Sequence, residues 1–376
     1  MQDKADAALA RAVADGLPGV VAMATDRQGP IYAGAAGVRS LDDPEPMTLD
    51  TVLALRSLTK AVTATVCLQL VERGLLDLDA PAGTYLPEID ELPVIDGFDA
   101  KGAPVLRPPR TRITTRHLLL HTAGFGYDFF NPTYRRLTDD HGFPSIRTET
   151  RASLRTPLLH DPGTAWEYGV NFEWAGLVAE AIAGRTLGAL MREGVFAPLS
   201  MTDTTLDPGP ERRAHIHQRG RDGRLTVLPH HAPDREIEMG GGGLYGTVPD
   251  YLAFLRMWLN EGRGPDGPVL SPASVVLAAR AKATPRALPS VKPAITNRAE
   301  FFPGLPKSWT LAFLRIEADA PTGRRAGSLS WAGLANLYYW IDPASGLAGL
   351  WATQLLPFAD PAALAAAEAF ERAIYA

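Results

Sequence analysis

Apolar and polar positions alternate along the chain with periods that change from segment to segment, and those changes outline its elements. Residues 58–73, LTKAVTATVCLQLVER, are apolar on nearly every side of a helical projection and stop at Gly74, which predicts a buried helix closed by a glycine cap and beginning at Ser57. Upstream, MQDKADAALARAVADG carries its charges at helical spacing and predicts a first helix. The runs Gly19 to Thr25 and Ile31 to Val38, joined by the turn-forming Asp26 to Pro30, predict a β-hairpin. From 83 to 290 the pattern is helical at 115–121, 171–184, 186–194 and 249–260, the last with Thr247 as its N-cap, separated by long loops rich in Pro, Gly and Asp. Strand-like runs return at 309–316, 328–341 and 347–356, the last two joined by a turn at Asp342 to Gly346, and an alanine-rich helix at 361–375 follows. Strands at both ends with helices between predict an α+β fold. One antiparallel sheet would be built from both termini and flanked by helices, in a discontinuous α/β lobe of residues 1–82 and 291–376, with a mainly helical lobe of residues 83–290 inserted.

Composition narrows the class. At 376 residues and 46% hydrophobic, the chain can bury a sizeable core. A formal net charge of -5 without any Lys/Arg block argues against nucleic acid or an anionic membrane as the main partner. The single cysteine, Cys67, excludes an intrachain disulfide and, inside the apolar run, reads as a buried structural thiol. The first residues lack the apolar core of a secretory signal, and no segment reaches the ~20 apolar residues that span a bilayer, so a soluble, cytoplasmic protein is expected. Oligomeric state leaves no mark in the sequence.

The chemistry is first bounded by absences. No Gly-x-Ser-x-Gly, His-Glu-x-x-His or Cys pair occurs, which removes the anchors of α/β-hydrolases and of the strong zinc sites. His215, His217, His230 and His231 read as loop histidines, and Gly240 to Gly243 as a close-packed bend, so no metal or cofactor is expected. Ser57-x-x-Lys60 is different. The chain has only 6 lysines against 31 arginines, and only a lysine can act as a base near neutral pH. Spacing of three puts both side chains on one helical face, and desolvation at the head of an apolar helix disfavours the charged amine. A helix-capping serine beside a lysine that reaches water is the alternative. Asp161 to Gly169, DPGTAWEYG, delivers Trp166 and Tyr168 ahead of the helix at 171, where a tyrosine could relay a proton or simply pack. Ser328 to Leu334, SLSWAGL, reads as a strand whose edge N-H could complete an oxyanion hole, with Gly333 leaving a ligand unobstructed.

Together SLTK, WEYG and SWAG resemble the serine hydrolases of the class C β-lactamase fold, and the family VIII carboxylesterases in particular. LLDLDAPAGTYLPE, ITTRHLLLHTAGFGYDFF at 113–130 and GGGGLYGTVPDYLAF at 240–254 carry the likeness over roughly residues 15 to 360. The resemblance implies a β-lactamase-like two-lobe fold with the site between the lobes. It implies Ser57 as acylated nucleophile, Lys60 as its base, Tyr168 as the relay, and the N-H groups of Ser57 and Leu334 as the oxyanion hole. It further implies that Trp331, Ala332, Gly333, Phe125, Tyr127 and Gly242 line the substrate pocket, that His117 and His121 are structural, and that no cofactor or metal takes part. Two departures matter: Trp331-Ala332-Gly333 stands where β-lactamases have Lys-Thr-Gly, and Asn171 follows Tyr168 one place later than in Tyr-x-Asn. The expected function is therefore hydrolysis of small-molecule, short-chain acyl esters through an acyl-enzyme, with neutral groups favoured by the Trp331 indole. A β-lactamase or D-alanyl peptidase-like amide hydrolase, or a non-catalytic binding protein on this scaffold, is the alternative.

Overall fold

The computed structural model describes residues 1–230, 235–280 and 283–376. Seven antiparallel strands form one sheet: β1 Gly19–Thr25, β2 Pro30–Gly37, β3 Lys307–Trp309, β4 Leu314–Ile316, β5 Leu329–Gly333, β6 Leu337–Asp342 and β7 Leu347–Ala352. Their spatial order is β3-β4-β5-β6-β7-β1-β2, so the N-terminal hairpin is stitched to the C-terminal meander along β1 and β7, with Val21 opposite Ala352. The sheet has two buried faces because its strands alternate with period two. Val20, Ala22 and Ala24 pack beneath helices α1 (Gln2–Ala14) and α9 (Pro361–Tyr375), while Val21 and Met23 face the larger core that holds α2 (Thr59–Glu72).

Helix α2 is the axis of that core. Every residue from Thr59 to Leu70 is buried, so its tertiary surroundings rather than an amphipathic stripe hold it helical, and Gly74 turns the chain away at φ 68°. Against it pack α5 (Asn171–Ala183) and α6 (Leu187–Met191), with α3 (Thr115–Leu119) on α5; α4 (Pro132–His141) buries Tyr134 and Leu137 in a separate cluster with Ile95, and α7 (Val248–Leu259) and α8 (Pro272–Arg280) follow along the chain. Thr247 caps α7 through the N-H of Asp250. Burial pushes the Cys67 thiol up to about 12, which leaves it inert as a nucleophile.

Several sequence expectations need revision. The run at 309–316 is not one strand but a hairpin, β3 and β4, whose bend is held by the Thr310 hydroxyl accepting from the N-H of Phe313. The run at 328–341 breaks into β5 and β6 at Asn336, whose φ of 61° no straight strand allows. The run at 347–356 ends as β7 at Ala352, and Leu355–Leu356 pairs in parallel with the segment at His217 instead. Helix α4 was not visible because its surface is polar, PTYRRLTDDH, and apolar periodicity was the signal sought; its Asn131 cap and Pro132 at the first position were the legible cues. Ser57 does not open α2 directly: it lies on a 3-10 turn, Arg56–Leu58, that leads into the helix. Helix α7 lies within 83–290 yet packs on β1, β6 and β7, and we propose that it belongs with the sheet lobe. Among the described residues no helix is long and apolar enough to cross a membrane.

Candidate active site

The serine is presented by a strained elbow. Arg56 has a φ of 52°, in the left-handed region that non-glycine residues rarely occupy and that costs of order 1 kcal/mol or more. The strain is held in place from both sides. The Leu55 N-H donates to the carbonyl of Leu244 at 2.9 Å, the Thr59 hydroxyl donates to the carbonyl of Arg56 at 2.6 Å, and that hydroxyl accepts from the N-H of Leu244 at 3.1 Å. Gly333 of β5 lies so close that a Cβ there would stand 2.7 Å from the Leu55 carbonyl oxygen. Its glycine is needed for this approach of backbone to backbone, not to leave space for a ligand, which corrects the sequence reading.

Lys60, one turn on, is completely buried. Its Nζ lies 3.1 Å from Ser57 Oγ, 3.1 Å from the Tyr127 hydroxyl and 2.6 Å from the carbonyl oxygen of Gly241. A buried amine without partners would be destabilising by several kcal/mol; here all three hydrogen-bonding directions are filled, one of them by Ser57 Oγ. The alternative of a lysine reaching water is excluded. Tyr168 is also buried, its ring centroid 4.9 Å from Nζ, and its hydroxyl accepts from the Trp331 indole N-H at 2.9 Å. The indole's single donor is thus committed to the tyrosine.

The cleft is about 110 Å³ and is lined by Ser57, Tyr127, Tyr168, Trp331, Ala332, Leu334 and Gly242 among others. The structure therefore brings together every predicted site residue except two. Phe125 is fully buried, stacked on Trp174 at 5.9 Å, and supports the loop rather than a substrate. Gly333 packs as described above. Asn171, one place late in the sequence, turns its amide to His121 Nδ1 at 2.9 Å and not to Lys60, so Gly241 supplies the contact that the shifted asparagine does not. His121 is buried, and burial followed by the Lys60 charge holds it well below its usual pKa, which keeps it neutral and structural; His117 completes the capping box of α3. Among the described residues no group of three or more His, Cys, Asp or Glu side chains is placed to hold a metal ion, and His231 lies outside those residues.

Sequence reasoning missed Glu173. Its carboxylate is buried beneath Tyr127, whose hydroxyl lies 3.5 Å from Oε1, and it fits against Gly241, where a Cβ would come within 2.2 Å. A carboxylate flanked by Phe172 and Trp174 in the mostly apolar helix NFEWAGLVAEAIA was the available signal. Burial raises its pKa above the usual glutamate value of 4.5, against the opposing charge of Lys60. A raised carboxyl contributes stability that is fully present below the unfolded value and is lost as pH rises through the folded one. The Tm of wild type minus that of Glu173→Gln should consequently fall as pH rises above the usual glutamate value of 4.5. A difference that grows with pH would mean that Lys60 stabilises the carboxylate outright.

A family model described as Beta-lactamase matches residues 5–373. The chain belongs to the Beta-lactamase family. Within this family's reach, the monacolin J acid methylbutanoyltransferase of Aspergillus terreus is 34% identical over 96% of this chain and 92% of its own. The lovastatin esterase of Penicillium rubens is 31% identical over 89% of this chain and 88% of its own. A mutant of the simvastatin synthase of Aspergillus terreus shares the Beta-lactamase-like fold at a TM-score of 0.86 and 33% identity, covering 99% of this chain and 93% of its own. Relatives named as acyltransferases and esterases support a serine hydrolase that handles acyl groups.

Proposed function

We propose that the protein is a serine esterase of the family VIII carboxylesterase type, cleaving short-chain acyl esters through an acyl-enzyme on Ser57 that water, or an alcohol, then resolves. The observation that carries this reading is the 3.1 Å approach of Lys60 Nζ to Ser57 Oγ inside a fully buried network. Ser57 Oγ attacks the acyl carbon while Nζ takes its proton, its other directions still anchored on Tyr127 and Gly241. The N-H groups of Ser57 and Leu334 receive the oxyanion. The Tyr168 hydroxyl passes a proton to the departing alkoxide, held in orientation by the Trp331 indole. Transfer to an alcohol is favoured as a second outcome by the methylbutanoyltransferase relative. An amide or β-lactam substrate is disfavoured because β5 carries an indole, already engaged, where a cation would hold a carboxylate.

The test is a stopped-flow burst of p-nitrophenol from p-nitrophenyl butyrate with one butanoyl adduct on Ser57 by mass spectrometry, the burst being followed by faster turnover when an alcohol is added. No burst and no adduct would remove the reading; benzylpenicillin hydrolysed with a higher kcat/KM than the ester would replace it by a β-lactamase.

The two tyrosines have separable parts. Tyr168→Phe keeps the ring and removes the relay hydroxyl, so kcat should fall at least ~100-fold, while Tm drops by only the few degrees expected from a Trp331 N-H left without its acceptor. Tyr127 is different: its hydroxyl sits between Lys60 Nζ at 3.1 Å and Glu173 Oε1 at 3.5 Å, and burial, then the Glu173 charge, holds its phenol well above the usual pKa, so its part is to anchor Lys60. Tyr127→Phe should lower kcat less than Tyr168→Phe does. The reverse order, measured on the same ester, would make Tyr127 the relay.

A further inference from the structure

Behind the elbow, a second chamber of about 380 Å³ adjoins the cleft, and Arg56, Phe129, Arg147 and Leu334 line both. Its wall is cationic: Arg56, Arg147, Arg213 and Lys292, with His215 and His230, and no carboxylate among its described lining residues. That is unusual for a chain of net charge -5. Other partly buried arginines are matched with acids, as Arg107 is with Asp161 and Arg324 with Glu371. Here Arg213 bonds only to a histidine, His230 Nε2, at 3.0 Å, while the side chains of Arg56, Arg147 and Lys292 have no hydrogen-bond or ion-pair partner among the described residues. The nearby acid Glu149 lines the cleft but not this chamber. The floor is apolar, with Ile216, Leu228 and Ile295.

Like charges crowded around a recess repel, and a local positive field with low-dielectric walls concentrates anions. We infer that this chamber binds an anionic group, a carboxylate or a phosphate on an apolar stem, belonging to the ester or thioester whose acyl carbon sits at Ser57. The inference rests on the acyl-enzyme reading for its geometry, since the shared residues set the anion beside the nucleophile rather than on β5. It also revises the expectation that neutral groups are preferred: the indole side of the cleft favours them, and the Arg56 side does not.

The experiment compares matched pairs of butanoyl donors. 6-(Butanoyloxy)hexanoate is set against its neutral amide 6-(butanoyloxy)hexanamide, and butanoyl-phosphopantetheine against butanoyl-pantetheine. The anionic member of at least one pair should have the higher kcat/KM by about 10-fold, the scale of a charge-assisted contact, and the advantage should shrink in 0.5 M salt. The pair with the larger ratio identifies carboxylate or phosphate as the source. Arg213→Gln with Lys292→Gln should bring that ratio towards one, and Lys292→Arg should preserve it. Calorimetry with hexanoate and hexyl phosphate on the Ser57→Ala protein reads the chamber without turnover. Binding there with no butanoyl adduct on wild type would separate a failed acyl-enzyme reading from a working chamber. Ratios near or below one in both pairs, together with no anion binding, would overturn the inference.

Discussion

Replacing Lys60 by arginine should lower kcat/KM for p-nitrophenyl butyrate by at least ~100-fold, the lower range for loss of a positioned base. Arginine keeps the positive charge and five donors but gives up no proton near neutral pH, so it removes the base while preserving a cation. Because Lys60 is fully buried among Ser57, Tyr127 and Gly241, the larger guanidinium also strains its surroundings, and a drop in Tm by itself would explain nothing. Lys60→Met is the companion: it fits the space better, lacks the base and should lose activity equally with the fold intact by circular dichroism. Either variant retaining a third of wild-type kcat would show that Ser57 finds its base elsewhere.

Ser57→Ala has the larger effect. Removing the nucleophile deletes the acyl-enzyme, so both the burst and the butanoyl adduct should vanish, and residual turnover should lie at least ~10⁴-fold below wild type, since only binding and oxyanion contacts remain. The elbow does not depend on the hydroxyl: its contacts run through the backbones of Leu55 and Arg56 and the side chain of Thr59. Tm should therefore hold or fall slightly, because the strained turn is unchanged while the buried Lys60 amine loses one of its three partners. A variant that still forms an adduct would place the nucleophile on another residue.

Much of this site was legible in the sequence because its residue types are tied to local spacing. Ser57 and Lys60 are one helical turn apart, and Tyr168 precedes a recognisable helix start. What sequence could not supply was the partner of each group. Nothing in Tyr127 or Gly241 announces contact with a lysine some 70 or 180 positions away, and the 3.1 Å and 2.6 Å contacts arise only when α2 is enclosed. Glu173 is hidden for the same reason: the periodicity at 171–184 shows a helix but not that its first nine residues have no exposed face. The constraint on Gly333 comes from the Leu55 carbonyl packed against it, a contact that the sequence does not announce. In the fold, the β-runs were found but their ends were not: Asn336 and the turn near Thr310 interrupt apolar stretches that hydrophobicity alone reads as continuous.

The antiparallel pairing of β1 with β7 joins positions more than 300 residues apart, and the nucleophile elbow leans on Gly333 from the same late segment. As the chain leaves the ribosome, Ser57 and Lys60 emerge early but the surface that confines them emerges last. Contacts so distant in sequence are slow to form, because a long loop must close before any stabilisation is gained. Until then α2, with no continuous polar face to show to water, is exposed and prone to associate with other chains. The Ser57–Lys60 pair therefore gains its enclosure only after contacts spanning most of the chain have closed.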